Sequence, residues 1–193
     1  MHQSEKMKSF RLTIGILALL LVLAGCNNSS KDIPINAQTS LPTENTSSVS
    51  DNEFSIYLLE GEIAPEDIDI QGTPELEDEP LISIDDIVRY DKATHEIQLT
   101  DEGYEKIYKL SIPTNGKAFV VCVNGERIYS GAFWAAYSSL SFDGIIIDPL
   151  LVTKENPVIQ ITLGYPGSSF FQGEDLRSDS RIMQVLEEAG KIK

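Results

Sequence analysis

The feature that most constrains the fold is an uninterrupted apolar segment followed directly by a tight-turn signal. Residues 118–123 read AFVVCV, and Asn124 and Gly125 follow them. A segment that is apolar at every position is typical of a strand buried on both faces. Asn-Gly accepts positive φ at both central positions of a hairpin turn. With residues 126–130 as the partner strand, the pattern predicts an antiparallel hairpin at the centre of a sheet.

Five further segments carry the pattern of strands. Ile97 and Leu99 alternate with polar residues, which is typical of a strand with one face in water. Residues 87–90 precede that strand across a short turn, so the two segments are expected to pair as a second hairpin. The other strands are predicted at residues 54–59, 144–148 and 158–163.

Two helices are predicted from caps and apolar spacing. Thr100 is an N-cap residue, and the acidic residues after it suit the positive end of the helix dipole. Tyr104, Ile107 and Tyr108 then share one predicted apolar face. A second apolar stripe runs through residues 179–189. The order of elements predicts an α+β fold, a largely antiparallel sheet with one helix between hairpins and a C-terminal helix.

Residues 1–25 have the organisation of a lipoprotein signal peptide. Three basic residues between positions 6 and 11 precede the apolar residues 12–23. That segment is shorter than the roughly 20 residues needed to span a bilayer. The sequence LAGC follows and ends at Cys26, whose thiol would accept diacylglycerol. An ordinary secretory signal or an uncleaved anchor remains an alternative, and either Met1 or Met7 could be the start.

The rest of the chain divides into a tether and one domain. Residues 26–52 begin with the lipidated Cys26 and are rich in Ser, Thr, Asn and Pro. They have little to bury, so they are predicted to form a disordered tether spanning roughly 25–30 Å. Packing of part of this segment on the domain remains an alternative. Residues 53–193 are predicted to form a single, monomeric extracytoplasmic domain.

Net charge limits the classes of binding partner, and cysteine content limits how the domain can be stabilised. After residue 25 the chain has 12 basic and 29 acidic residues, a formal net charge of −17. That charge argues against binding to nucleic acid and against adhesion to anionic lipid headgroups, because both would repel the chain. Cys122 is the only cysteine after Cys26, so no disulfide joins two mature thiols. The domain must therefore be stabilised by an apolar core.

No catalytic constellation is visible. His95 is the only histidine after the leader and lies in a predicted turn, where a solvated side chain is expected. No Gly-x-Ser-x-Gly motif is present, and Cys122 is expected to be an inert core thiol. The acidic residues between positions 60 and 86 lack the spacing of a calcium loop and are interpreted as solvated surface. Cation binding there remains open, and no cofactor or metal is predicted.

Two aromatic segments are the candidate ligand site. Residues 131–143 contain the only tryptophan among aromatic and hydroxyl residues, and residues 165–171 form a second aromatic, Gly- and Ser-rich loop. Such side chains stack on sugars or bind peptides. The alternative is that these rings fill the core as the chain changes direction. The candidate ligand-binding residues are Phe133, Trp134, Tyr137, Ser139, Phe142 and Tyr165.

Residues 97–103 (IQLTDEG) and 119–130 (FVVCVNGERIYS) resemble the head subdomain in the exported loop of the SecD translocase subunit. That subdomain has a strand–helix unit, a valine-rich strand, an Asp/Asn-Gly turn and an Ile- and Gly-rich strand, here residues 144–147. The resemblance covers residues 96–148. It implies a similar fold and a role in contacting polypeptide. It does not imply the SecD motor activity, since no later membrane segments are expected. The chain also looks like uncharacterised lipoproteins of clostridia and related Gram-positive bacteria.

The predicted function is non-enzymatic binding at the extracytoplasmic face of the bacterial cell membrane, to which acylated Cys26 holds the chain. The expected partner is a peptide, a glycan or other cell-wall component, or an envelope protein. A binder should show an aromatic groove around Trp134 and Tyr165. One alternative is an envelope hydrolase, with two carboxylates roughly 5–10 Å apart in a cleft. Another is a structural accessory of a membrane complex, with an apolar patch and an acidic rim.

Overall fold

The computed structural model describes residues 53–72 and 74–193. The predicted signal peptide, the predicted lipidation at Cys26 and the predicted tether all lie outside the described residues. The strands are β1 (Phe54–Leu58), β2 (Ile82–Ser83), β3 (Ile87–Asp91), β4 (Glu96–Leu99), β5 (Lys117–Val123), β6 (Glu126–Phe133), β7 (Phe142–Ile147) and β8 (Val158–Tyr165). The helices are α1 (Asp101–Tyr108) and α2 (Ser180–Glu188).

The eight strands form one curled sheet in the order β2-β1-β5-β6-β7-β8-β4-β3. All neighbouring strands are antiparallel except β6 and β7, which run parallel with Gly131 opposite Ile145. The predicted α+β class and the largely antiparallel sheet are confirmed.

The predicted central hairpin is formed by β5 and β6. Asn124 and Gly125 have φ angles of 50° and 78°, so both turn positions are left-handed. β5 pairs with β1 on one side and with β6 on the other. Phe119 faces the main core cluster, whereas Val120 packs into a second cluster on the opposite face. Burial on both faces explains why this strand is apolar throughout.

β6 is longer than the sequence predicts. Residues 131–133, expected in a loop, continue the strand and pair with both β5 and β7. A Cβ at Gly131 would lie 2.4 Å from Phe119 Cζ and 2.6 Å from the Ile145 carbonyl oxygen. Glycine therefore marks a close approach inside the sheet here and not a turn. The loop between β6 and β7 is correspondingly short, residues 134–141.

The main core lies between one face of the sheet and the two helices. From α2 it receives Ile182, Val185 and Leu186, and from α1 it receives Tyr104 and Ile107. Tyr108 was predicted on the same apolar face but is 70% exposed. It is the last residue of α1, and its ring stacks on Tyr104 with centroids 5.6 Å apart. The prediction is wrong at this residue because the helix ends before a further turn covers it.

The opposite face of the sheet is covered unevenly. Over β5, the face is covered by the acidic segment that follows β1, in which Leu76 forms a bridge with Leu59 and packs into the second cluster. Arg127 holds this segment in place, because its Nη2 donates to the Pro74 carbonyl at 2.6 Å. The loop 134–141 follows β6 on the same side. The outer face of β8 is left uncovered at Gln160, whose side chain is exposed.

A three-residue turn joins the two edge strands of the sheet, β2 and β3. Within it, Asp86 accepts hydrogen bonds from the Ser83 amide at 2.8 Å and the Ser83 hydroxyl at 3.0 Å. Lys106 of α1 contacts the same carboxylate at 2.7 Å. At the outer side of β3, Ile192 forms a bridge with Tyr90. The turn therefore ties both sheet edges to α1.

Candidate functional site

Trp134 belongs to a buried aromatic cluster on the outer face of β6 and β7. It is 1% exposed, and its ring stacks on Phe142 with centroids 5.1 Å apart. Tyr165 lies 6.2 Å away on a tilted plane. A Cβ at Gly116 would lie 2.5 Å from the indole Cε3, so the backbone approaches the ring closely. The indole fills a packed space and has no face available to a ligand.

The structure does not bring the six predicted ligand residues to one surface. Four of them are buried or half-buried in packing contacts, namely Phe133, Trp134, Phe142 and Tyr165. Tyr137 is 57% exposed and Ser139 is exposed. The expected aromatic groove around Trp134 is therefore corrected. The strand pairing continues through Phe133, which turns successive rings into opposite faces of the sheet and makes them core.

Two hydroxyl groups in the loop 134–141 hold this loop against the segment between α1 and β5. The Tyr137 hydroxyl donates to the Ile112 carbonyl at 2.8 Å, and the Ser138 hydroxyl donates to the Thr114 carbonyl at 2.7 Å. Both acceptors lie in the segment between α1 and β5. The loop is thereby held against that segment, and the Tyr137 ring is presented at the surface by its own hydrogen bond.

An apolar groove of about 230 Å³ opens beside the Tyr137 ring. Three of its side chains are among the most exposed large apolar residues of the described chain, with Tyr108 at 70%, Tyr137 at 57% and Leu150 at 56%. The groove is lined by Ile107, Tyr108, Leu110, Ile112, Tyr137, Pro149, Leu150 and Val152. These residues, called the apolar groove below, are contributed by α1 and three separate connecting segments.

Local structure explains why these apolar residues face solvent. Pro149–Leu151 form a single 3-10 turn after β7, and Asp148 caps it by accepting from the Leu150 amide at 3.0 Å. The turn directs Leu150 away from the sheet. Sequence reasoning missed the groove because it assigned Tyr108 to a buried stripe. The signal that was available is a pair of leucines directly after Pro149, inside a turn that Asp148 can cap.

His95 and Cys122 have environments that do not support catalysis. His95 is half-buried, with Nδ1 2.9 Å from the Tyr90 hydroxyl, so the expectation of a solvated turn histidine is corrected. Burial and the nearby Arg177 charge lower the pKa of His95. Burial raises the pKa of the Cys122 thiol to about 11, which keeps it protonated at neutral pH. Cys122 is a core thiol, as the sequence predicts.

The described acidic side chains do not assemble into a metal centre. Within residues 53–72 and 74–193, no group of three or more His, Cys, Asp or Glu side chains is placed to hold a metal ion. Asp175, Asp179 and Glu126 instead pair with the guanidinium groups of Arg177 and Arg181.

Comparison with known proteins adds no relative. No protein-family profile, curated protein or solved structure matches this chain. The resemblance to the SecD head subdomain therefore stays a prediction. Neither helix in the described part of the chain has the length and apolar content needed to cross a bilayer.

Proposed function

We propose that this chain is a lipoprotein, anchored through Cys26 outside the cytoplasm, that binds a polypeptide partner without catalysis. The observation that carries the proposal is the apolar groove, where two tyrosines and a leucine are exposed on one surface. Exposed apolar surface of this kind marks interaction sites, and tyrosine is enriched among the residues that dominate binding energy. The partner is an exported peptide or an envelope protein.

The charge around the groove favours a basic partner. Burial raises the pKa of Tyr104, with further contributions from the neighbouring Tyr108 ring and the carboxylates of Glu105 and Glu155. Both carboxylates thus act on Tyr104, which stacks on Tyr108 of the groove, and Glu105 is also paired with Lys109. Residues 53–193 contain 26 acidic and 11 basic residues. Five of the basic residues are already engaged in ion pairs, namely Lys106, Lys109, Arg177, Arg181 and Lys193. An approaching basic segment would therefore be attracted.

Substitution in the apolar groove should weaken peptide binding. The probe is a fluorescent ten-residue peptide of alternating leucine and lysine, with binding followed by anisotropy. Tyr137→Ser combined with Leu150→Ser is expected to raise Kd at least tenfold, because two exposed contact residues are lost. Phe170→Ser is the matched control, since Phe170 is 46% exposed outside the groove. Equal affinities for all three proteins would contradict the proposal.

The anchoring part of the proposal has its own test. Cells that express the chain are fed radiolabelled palmitate, and the protein is isolated and counted. Cys26→Ala should abolish the incorporated label, because the thiol is the acyl acceptor. Cys122→Ala should retain it, since Cys122 is buried in the sheet. Label that persists in Cys26→Ala would exclude the lipoprotein assignment.

A further inference from the structure

The outer face of β8 carries a second, polar groove that is separate from the apolar groove. A cavity of about 470 Å³ and a smaller one of about 150 Å³ lie along this strand. They share four lining residues, Asp148, Leu151, Gln160 and Thr162, so they adjoin along the strand and are together called the polar groove. One end is at Asn156, and the other is at Pro166. Neither end includes a residue of the apolar groove.

The side chains of this polar groove are arranged to hydrogen-bond. Along β8, Ile159 and Ile161 point into the core, so Gln160 and Thr162 alternate to the outer face. Asp148 lies on the neighbouring chain segment after β7, and Glu96 belongs to the neighbouring strand β4. Amide, hydroxyl and carboxylate groups thus line one surface, and together they both donate and accept hydrogen bonds.

Apolar surface lies beside these polar groups. Leu151 is 66% exposed, and the half-buried Tyr165 lines the wider part of the groove, where Ile146 is buried. A ligand that fits must therefore present hydroxyl groups on its edges and a carbon-rich face. Pyranose sugars have this combination, and aromatic or aliphatic side chains pack against their C–H faces.

The sheet position and the charge argue against two other occupants, an added peptide strand and a phosphate-bearing polymer. β8 pairs with β7 on one side and with β4 on the other, so a peptide cannot add to it as a new strand. The one basic side chain in the groove, Arg177, is already bound to Asp175 and to the Ile161 carbonyl. The other charged groups of the groove are the carboxylates of Glu96 and Asp148, and their negative charge disfavours phosphate-bearing polymers.

We propose that the polar groove on β8 binds a neutral oligosaccharide through hydrogen bonds to Gln160, Thr162 and the carboxylates of Asp148 and Glu96. The lipoprotein would then contact a glycan through β8 and a polypeptide through the apolar groove. The two sites share no lining residue, and the glycan site does not require peptide binding to exist. Asp148 connects them, because it lines the polar groove and also caps the turn that carries Leu150 of the apolar groove.

The test is calorimetric titration of the full chain in detergent with chitohexaose, a neutral oligomer of N-acetylglucosamine. Saturable binding is expected, and Gln160→Leu should raise Kd at least tenfold, because it removes the amide and keeps the side-chain volume. Gln184→Leu on α2 is the matched control and should leave Kd unchanged. Tyr137→Ser should also leave it unchanged, which separates this site from the apolar groove.

Three outcomes would overturn the proposal: no saturable binding of chitohexaose, unchanged affinity in Gln160→Leu, or equal binding of a glycerol phosphate polymer. Release of shorter sugars from the probe would support the glycan site while overturning the non-catalytic function proposed above.

Discussion

Trp134→Ala is expected to lower the free energy of unfolding by about 4 kcal/mol, because it removes a fully buried aromatic side chain. The substitution also leaves Phe142 without its stacking partner and leaves space above Gly116, whose backbone closely approaches the indole. Urea denaturation followed by far-ultraviolet circular dichroism measures the change, since the only tryptophan is lost.

Two further variants show whether the indole acts through burial. Its Nε1 is buried with no hydrogen-bond partner among the described residues. Trp134→Phe removes this unpaired donor and keeps one ring, so it should cost less than half as much as Trp134→Ala. Tyr137→Ala changes an exposed ring three residues away and should cost at most about 1 kcal/mol. If Tyr137→Ala were as destabilising as Trp134→Ala, the buried cluster described here would be wrong.

Asp86→Ala is expected to lower the free energy of unfolding by about 2–3 kcal/mol, the second-largest effect. The residue is 5% exposed and accepts hydrogen bonds from the Ser83 amide and hydroxyl and from the Lys106 ammonium. Loss of the carboxylate leaves these donors unpaired. The cost stays below that of breaking a fully buried ion pair, because the Lys106 side chain is 42% exposed and can turn to water.

The effect of Asp86→Ala should depend on pH. Burial alone would raise the pKa of Asp86, but hydrogen bonds from Lys106 and Ser83 outweigh burial and lower it. A lowered pKa in the folded state means that the carboxylate stabilises the fold above about pH 4, the ordinary value for aspartate. This contribution is lost as the pH falls through the folded-state pKa. The difference between wild type and Asp86→Ala should therefore be full at pH 7 and smaller at pH 3.

Asp85→Ala is the matched control for the Asp86 experiment. Asp85 precedes Asp86 in the same turn, but it is exposed. It should change the free energy of unfolding by no more than about 0.5 kcal/mol at either pH. A difference between wild type and Asp86→Ala that does not shrink at pH 3 would show that the ionised carboxylate is not the stabilising species.

Much of the fold could be predicted because local signals coincide with tertiary needs. Asn124 and Gly125 specify a turn that only a few dipeptides permit, and Thr100 caps α1 by accepting from the Gly103 amide. The parallel pairing of β6 with β7 was not predictable. Gly131 looks like a loop residue in sequence, and its real role depends on Phe119 and the β7 backbone approaching it.

The candidate site was less predictable than the fold. Whether Trp134 is core or surface depends on which face of β6 receives a covering loop, and no local pattern encodes that. Of the predicted residues, Tyr137 reached the apolar groove and Tyr165 lines the polar groove on β8. The neighbours of Tyr137 in the apolar groove, Tyr108 and Leu150, come from segments that meet only in the folded sheet. Apolar type alone does not distinguish a residue that builds a core from one that meets a partner.

The strand order has a consequence for a chain that emerges gradually from a ribosome or a translocation channel. β1 pairs with β5, and β4 pairs with β8. Each of these early strands must therefore wait for a partner that lies about sixty residues further along the chain. Before residue 117 has emerged, the available ladders are the β3–β4 hairpin and the two-residue pairing of β1 with β2. Long-range pairing of this kind delays folding until late. The N-terminal half therefore lacks most of its strand partners while the chain emerges, and the sheet is completed only after β8 has emerged.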